Sequence, residues 1–160
     1  MANIDWDEYF MGLALWTSLR SKDAHTKVGS CIADENNRVV GLGYNGMPNN
    51  CKDSEMIWKR EGDGIDNKHF YVVHAEANAI LNSERQKLPH SIMFTTLFPC
   101  HECAKLIVQV GIKEVVYFSD KYADCDFTKA SKVILHKSGI KTREYCSKKI
   151  DAFFGGFLGK

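Results

Sequence analysis

The chain has 160 residues, of which 44% are hydrophobic and 26% charged, and its formal net charge is +1. This length and composition predict one globular domain over residues 1–160, with a core from about 6 to 145 and a tail from 146 to 160, and exclude a disordered chain. The near-neutral charge disfavours a nucleic-acid partner, which usually requires a basic excess or stripe. No apolar run approaches the roughly 20 residues that a membrane span requires.

The first residues, Met1 to Asp5, include an acidic side chain and lack the apolar stretch of a signal peptide, so we expect an intracellular, cytoplasmic protein. The six cysteines are then expected to be thiols or metal ligands, because reducing compartments disfavour disulfides. Only Cys100 and Cys103 have the spacing of a ligand pair.

The predicted elements begin with an amphipathic helix over residues 6–20, in which apolar side chains recur at helical spacing. Asp5 is its expected N-cap. Two strand-like segments follow, over 28–33 and 38–44. The turn-forming run Asp34–Asn37 between them predicts a hairpin.

The middle of the chain is less regular. Residues 43–50 are rich in turn formers and predict a loop. Residues 51–70 are polar and irregular, which predicts an excursion loop with room for a short helix. Residues 71–73 are apolar and predict a brief extended segment that leads into the next helix.

Helices and strands alternate in the second half of the chain. Helices are predicted over 74–85, 100–110 and 127–137. Strands are predicted over 91–98, 114–119 and 140–145. This alternation predicts a three-layer α/β/α domain around one central sheet.

Two short motifs carry the chemistry: His74-Ala75-Glu76 and Pro99-Cys100-His101-Glu102-Cys103. This H-x-E…P-C-x-x-C pattern is the established signature of zinc-dependent nucleobase deaminases. A catalytic zinc takes three protein ligands and keeps one position for water, and His74, Cys100 and Cys103 supply three. Zinc lowers the pKa of that water toward neutrality. Glu76 is the expected proton carrier from the water to the substrate's ring nitrogen and then to the departing amine.

A structural zinc site is the alternative interpretation, and spacing alone does not exclude Cys51 or Cys125 as its fourth ligand. The position of both motifs at predicted strand-to-helix junctions favours the catalytic interpretation. Cys51 and His69 in the excursion loop raise the question of a second metal site, although incidental polar residues are the simpler interpretation.

Together with their neighbours, these motifs resemble the deoxycytidylate (dCMP) deaminases of the cytidine deaminase superfamily. The resemblance runs from about residue 6 to about residue 145. It rests on further segments, which are Arg20–Asp23, Gly43–Pro48, Phe98–Cys100, Glu102–Ile107, Gly111–Val115 and Ser119–Tyr122.

The resemblance implies a cytidine deaminase-like fold, in which helices flank a central five-stranded mixed sheet and the zinc ligands lie at two helix starts. It implies hydrolysis of dCMP to dUMP and ammonia with catalytic Zn²⁺, which supplies dUMP for thymidylate synthesis. It also implies a homo-oligomer, often a hexamer, that dCTP activates and dTTP inhibits, with Mg²⁺ accompanying the nucleotide effector. Some members of the family are expected to accept dCTP as a substrate.

The resemblance also suggests nucleotide contacts. Asn45 is expected to hydrogen-bond the sugar hydroxyl, and Lys121 and Tyr122 are expected to hold the 5′-phosphate. Ala75 is placed among the substrate contacts. Candidate phosphate or effector contacts are Arg20, Lys22, Gly43, Gly46 and Met47.

Two other functions remain open at this point. One is deamination of a nucleic acid, as in the tRNA adenosine deaminases, which the near-neutral charge disfavours. The other is a zinc-stabilised regulator that binds nucleotides without turnover, which an intact Glu76 disfavours. Beyond Tyr145 the resemblance is weak, and Phe153, Phe154 and Phe157 fit either subunit packing or an intramolecular core.

Overall fold

The computed structural model describes residues 3–146. One mixed sheet forms the centre of the domain. Its strands are β1 (Gly29–Ala33), β2 (Val39–Tyr44), β3 (Ile92–Thr95), β4 (Glu114–Tyr117) and β5 (Lys141–Glu144). The α-helices of the described part are α1 (Trp6–Ser18), α2 (Ala75–Leu81), α3 (His101–Gln109) and α4 (Asp126–Lys137).

The strand order in the sheet is β2-β1-β3-β4-β5. Strand β1 is antiparallel to both β2 and β3, whereas β3, β4 and β5 are parallel. The predicted hairpin is confirmed: the Asp34 carboxylate accepts hydrogen bonds from the backbone N–H groups of Asn36 and Arg38, and Asn37 has a positive φ of 59°. The expected five-stranded mixed sheet is therefore confirmed.

Two hydrophobic clusters pack on opposite faces of the sheet. On one face, Phe10, Met11 and Leu15 of α1 cover strand residues such as Cys31 and Phe94. On the other face, helices α2, α3 and α4 cover the sheet through residues that include Ala79, Ile107 and Leu135. The predicted three-layer α/β/α arrangement is confirmed.

Helix α1 begins with a capping box, because the Asp5 side chain accepts from the Glu8 backbone and the Glu8 side chain accepts from the Asp5 backbone. The helix ends at Ser18, two residues before the predicted end at Arg20. The Ser18 hydroxyl donates to the Leu15 carbonyl oxygen and so satisfies an acceptor of the last turn.

Helix α2 is shorter than predicted, and residues 82–85 are not part of it. Asn82 donates its side-chain amide to the Leu42 carbonyl of β2, and the Ser83 hydroxyl donates to the Ala79 carbonyl. Such side-chain bonds to the backbone compete with continued helix. A separate 3₁₀ turn covers Arg85–Lys87.

The segments around the other predicted elements also differ. Beyond Thr95 the backbone of β3 continues irregularly, with Thr96 bonded to Gly29 and Phe98 bonded to Ser119. The extended segment 71–73 is reduced to Val73, which forms an isolated antiparallel bridge with Gly46.

The excursion loop contains 3₁₀ turns at Asp53–Glu55 and Lys68–Phe70, in agreement with the predicted room for a short helix. Within the described residues, each helix is too short or too polar to cross a lipid bilayer. Phe153, Phe154 and Phe157 lie outside the described residues.

Candidate active site

The two sequence motifs meet at two helix starts. His74 is the N-cap residue of α2 and Cys100 is the N-cap residue of α3, both with extended backbone. The Val73–Gly46 bridge holds the chain that enters α2, through hydrogen bonds of 3.1 and 2.8 Å. The predicted position of the two motifs at helix starts is confirmed.

The donor atoms of the three predicted ligands lie close together. His74 Nδ1 lies 3.3 Å from Cys100 Sγ and 3.5 Å from Cys103 Sγ. The three donor atoms all lie within 4.8 Å of one another. One imidazole nitrogen and two sulfurs are a donor set that zinc prefers, and three protein ligands leave a position for water. The residues present therefore fit a catalytic zinc.

Other candidate ligands do not join this group. Within residues 3–146, His74, Cys100 and Cys103 form the one set of three or more metal-ligating side chains with donor atoms this close. Cys51 is exposed and Cys125 is the N-cap residue of α4. His101 Nε2 lies 3.1 Å from Glu102 Oε1, outside the ligand group. A fourth protein ligand, which a structural zinc site requires, is thus missing from the described part.

Contacts among the three side chains shift their pKa values in different directions. A hydrogen bond from Cys103, together with the charge of His74, lowers the pKa of Cys100 to about 3. The bond to Cys100 raises the pKa of His74 to about 9. The same thiol pairing and burial raise the pKa of Cys103. Zinc ligation must displace the protons on His74 and Cys103, so metal binding releases protons.

Glu76 lies beside this group in the first turn of α2. The residue is only 4% exposed, and burial raises the pKa of its carboxyl above the ordinary value despite the opposing charge of His74. A carboxyl held this way exchanges a proton nearer to neutral pH than an exposed glutamate does.

Asn45 is buried, and its side-chain amide is engaged by the protein. Its Oδ1 accepts from the Val28 backbone N–H at 2.8 Å, and its Nδ2 donates to the Thr26 carbonyl at 2.9 Å. The second Nδ2 hydrogen faces Asp23 Oδ2 at 3.4 Å. A sugar hydroxyl can therefore approach only the second lone pair of Oδ1.

Lys121 and Tyr122 lie together, and Arg60 joins them from the excursion loop. Lys121 Nζ lies 5.0 Å and Arg60 Cζ 5.4 Å from the centroid of the Tyr122 ring. Burial alone would raise the pKa of Tyr122, but a hydrogen bond with Thr26 and the two cationic charges lower it. Within residues 3–146 neither cation forms an ion pair.

Four of the five candidate phosphate or effector residues line one cavity of about 230 Å³. They are Arg20, Lys22, Gly46 and Met47. Lys22 forms an ion pair with Asp53, which also lines this cavity, and Arg20 Cζ lies 6.0 Å from the Tyr44 ring centroid. A larger depression of about 570 Å³ between α4 and β5 is lined by none of the predicted site residues.

The fifth, Gly43, does not line this cavity: it belongs to β2, as the predicted strand over 38–44 has it, and not to the loop predicted over 43–50. Gly43 is in β2, and a Cβ there would lie 2.2 Å from the Ala79 backbone nitrogen and 2.3 Å from the Ala75 carbonyl oxygen. Gly43 therefore lets α2 pack directly on the sheet. Ala75 itself is fully buried in this contact.

Sequence reasoning missed Arg60 and the buried pair Asp23–Lys68. Both cations come from the irregular excursion loop, whose polar composition gave no signal of either role.

Comparison with known proteins places the chain among deaminases. The model of the cytidine and deoxycytidylate deaminase zinc-binding region matches residues 4–119. A Drosophila melanogaster protein, "Probable deoxycytidylate deaminase", is 49% identical over 152 residues, which cover 91% of this chain and 75% of the relative. The Homo sapiens deoxycytidylate deaminase is 46% identical over 149 residues, covering 91% of this chain and 84% of the human protein.

A solved structure is similar as well. The dCMP deaminase of cyanophage S-TIM5, crystallised in complex with dCMP and dUMP, matches with a TM-score of 0.71 and 26% identity. The match covers 91% of this chain and all of the phage chain. Sequence and fold are therefore both similar to those of deoxycytidylate deaminases.

Proposed function

Because the chain belongs to the cytidine and deoxycytidylate deaminase family and is a zinc-dependent deaminase, we propose that it hydrolyses dCMP to dUMP and ammonia. The observation that carries the proposal is the meeting of His74, Cys100 and Cys103 with the buried carboxyl of Glu76 beside them. The relatives named deoxycytidylate deaminase support the choice of dCMP. The dUMP produced would supply thymidylate synthesis.

His74, Cys100 and Cys103 would hold Zn²⁺. When bound, this ion lowers the pKa of a water toward neutrality and so makes a nucleophile available at neutral pH. Glu76 accepts a proton from the attacking water and delivers it to the cytosine ring nitrogen. As the C–N bond to the exocyclic amine breaks and the carbonyl of uracil forms, Glu76 transfers the second proton to the departing ammonia.

The burial of Glu76 suits this role. A carboxyl with a raised pKa holds a proton more readily at neutral pH than an exposed glutamate does, and it can still release that proton to the ring. The side chain is enclosed by the protein, so the transferred proton is shielded from bulk water.

The 5′-phosphate would bind at Lys121, Tyr122 and Arg60. Two cations without ion-pair partners in the described part converge on one phenol, an arrangement that attracts an anion. A deoxynucleoside lacks the phosphate, so this cluster would favour dCMP over deoxycytidine. Asn45 would accept a hydrogen bond from the sugar hydroxyl through the second lone pair of Oδ1.

The cavity lined by Arg20, Lys22, Gly46 and Met47 would bind the effectors dCTP and dTTP. Arg20 and Lys22 would bind the triphosphate, with Lys22 leaving its ion pair with Asp53, and the Asp53 carboxylate would then offer an oxygen ligand of the kind Mg²⁺ prefers. Gly46 is bonded in both directions to Val73, the residue before His74. A ligand that moves Gly46 would therefore reach the metal site through this bridge.

We further propose a homo-oligomer, of which a hexamer is one form, in the cytoplasm. Helix α1 presents Trp6 and Trp16 at the surface, each more than half exposed, which suits burial between subunits. All six cysteines are free thiols, as a reducing compartment would leave them. Sedimentation velocity tests the assembly, and a stable monomer under all nucleotide conditions would contradict it.

The reaction is tested by ammonia release from dCMP, dCTP, CMP, deoxycytidine and an RNA stem-loop. We expect dCMP to be preferred, with a sigmoidal rate curve that dCTP makes hyperbolic and dTTP suppresses. Glu76→Gln should lower kcat by about 10² to 10⁴-fold while zinc remains bound. Glu84→Gln, an exposed glutamate just beyond α2, is the matched control and should leave kcat unchanged.

Several outcomes would contradict the proposal. Turnover that survives Glu76→Gln would remove Glu76 as the proton carrier. Activity on RNA alone would replace the substrate, and zinc-dependent nucleotide binding without ammonia release would indicate a regulator. A hyperbolic dCMP curve without effector would remove the proposed allostery.

A further inference from the structure

We propose that Lys68 is a positioning residue for the deoxynucleotide: by neutralising and anchoring Asp23, it holds Asn45 and Thr26 where the substrate's sugar and phosphate require them. The inference rests on the proposed function, because it assigns Asn45 to the sugar and Tyr122 to the phosphate. Lys68 acts through Asp23 and has no contact with a reacting atom.

Lys68 is a buried cation paired with the Asp23 carboxylate. Its side chain is 6% exposed and that of Asp23 is 2% exposed. Lys68 Nζ lies 2.5 Å from Asp23 Oδ2. Lysine is almost never buried unless it is paired, so this contact determines where the side chain lies. The pair joins the excursion loop to the segment that follows α1, 45 residues apart in sequence.

Asp23 also hydrogen-bonds residues on the side of the proposed nucleotide contacts. Its Oδ1 accepts from the backbone N–H groups of His25 at 2.8 Å and Thr26 at 3.1 Å. Its Oδ2, which bonds Lys68, also faces Asn45 Nδ2 at 3.4 Å. One carboxylate therefore orders the turn at 23–26 and contributes to the orientation of the Asn45 amide.

The orientation of the Asn45 amide determines which hydrogen bond it can offer to a ligand. With Nδ2 directed at Thr26 and Asp23, and Oδ1 directed at the Val28 N–H, Asn45 can offer a ligand only an acceptor. The Thr26 side chain is also among the groups that lower the pKa of Tyr122, the phenol placed at the phosphate. The Lys68–Asp23 pair thus lies behind both proposed nucleotide contacts.

Stability alone does not account well for this pair. A buried ion pair replaced by apolar groups of similar volume is often neutral or stabilising, whereas removal of one partner leaves an uncompensated charge. The two roles therefore separate in a double variant. A stabilising pair predicts that removal of both charges restores function together with stability. A positioning pair predicts that stability returns and nucleotide binding does not.

The experiment measures dCMP kinetics, zinc content and thermal unfolding for Lys68→Met, for Lys68→Met with Asp23→Asn, and for Lys87→Met, an exposed control. In Lys68→Met we expect KM for dCMP to rise by about ten- to a hundredfold, with kcat changed by less than about threefold and zinc retained. In the double variant we expect the melting temperature to recover while KM stays high, because the amide that replaces the Asp23 carboxylate would place a donor opposite the donor of Asn45. Lys87→Met should match the wild type.

An unchanged KM in a folded, zinc-loaded Lys68→Met variant would overturn the inference, as would a KM that recovers along with stability in the double variant. If Lys68→Met alone does not fold, the double variant, which lacks the uncompensated carboxylate, decides between the two roles. A wild type that fails to deaminate dCMP would refute the proposed function instead, and the same comparison would then use the nucleotide that it does deaminate.

Discussion

Replacement of Gly43 by alanine probes the contact that seats helix α2 on the sheet. The new Cβ would lie 2.2 Å from the Ala79 nitrogen, 2.3 Å from the Ala75 oxygen and 2.8 Å from the Asn78 carbonyl carbon. All three are backbone atoms of α2, so no side chain can rotate away and the helix must retreat by about 1 Å to restore an ordinary contact.

This retreat sets the expected magnitude. Overpacking of a well-packed core costs roughly 1–3 kcal/mol, and a clash with backbone belongs near the upper end, at about 3 kcal/mol. His74 is the N-cap residue of α2 and Glu76 lies in its first turn, so the shift also displaces a proposed metal ligand and the proposed proton carrier. A misplacement of about 1 Å can reduce the rate by about a hundredfold.

Two other glycines provide the controls. Gly29→Ala would place its Cβ 2.0 Å from the Ala14 carbonyl oxygen of α1, an equally severe clash on the opposite face of the sheet. It should destabilise by a similar amount but leave zinc affinity and kcat of the folded fraction nearly unchanged. Gly12→Ala meets nothing within 4 Å in the middle of α1 and should stabilise by about 0.5–1 kcal/mol.

The assay combines urea unfolding with zinc competition by a chromogenic chelator and steady-state ammonia release. We expect Gly43→Ala to lower all three quantities, Gly29→Ala to lower only stability, and Gly12→Ala to raise it. Equal zinc affinity and kcat in Gly43→Ala and Gly29→Ala would refute the reasoning that Gly43 acts by seating the metal-binding helix.

Three further changes test the site. Arg60→Met should reduce kcat/KM for dCMP by about tenfold or more and leave kcat/KM for deoxycytidine unchanged, because only dCMP carries the phosphate. Arg38→Met, at an exposed position, is the control. Equal losses for the two substrates would contradict the assignment of Arg60 to the phosphate. Burial alone would raise the pKa of Asp23, but hydrogen bonds from Lys68 and the turn backbone lower it below 3.8. The Asp23 carboxylate therefore stabilises the fold above about pH 4, and this contribution is lost at lower pH. The difference in unfolding free energy between wild type and Asp23→Asn, measured by urea unfolding, should narrow below about pH 4. Cys103→Ala should weaken zinc binding by more than the roughly 10–100-fold that loss of a supporting contact costs, and Cys125→Ala should not; equal zinc retention in the two variants would argue against the ligand set.

Much of the fold could be predicted because its signals are local. The hairpin follows from Asp34, whose carboxylate closes the turn within four residues, and α1 follows from a capping box that spans three. Termini were less predictable. Helix α2 ends at Leu81 because Asn82 bonds to a strand 40 residues away, a contact that no local pattern contains.

Sequence alone was enough to propose the chemistry: His74, Cys100 and Cys103 could be named as zinc ligands and Glu76 as the proton carrier, because zinc and proton transfer demand particular donor atoms at particular spacings. Tertiary structure alone decided which other residues share the site. Gly43 became a packing contact because α2 crosses β2 there, and Lys68 became a buried cation because its partner Asp23 lies 45 residues away. The pairing of distant residues depends on how whole elements pack against one another, and neither composition nor periodicity records that packing.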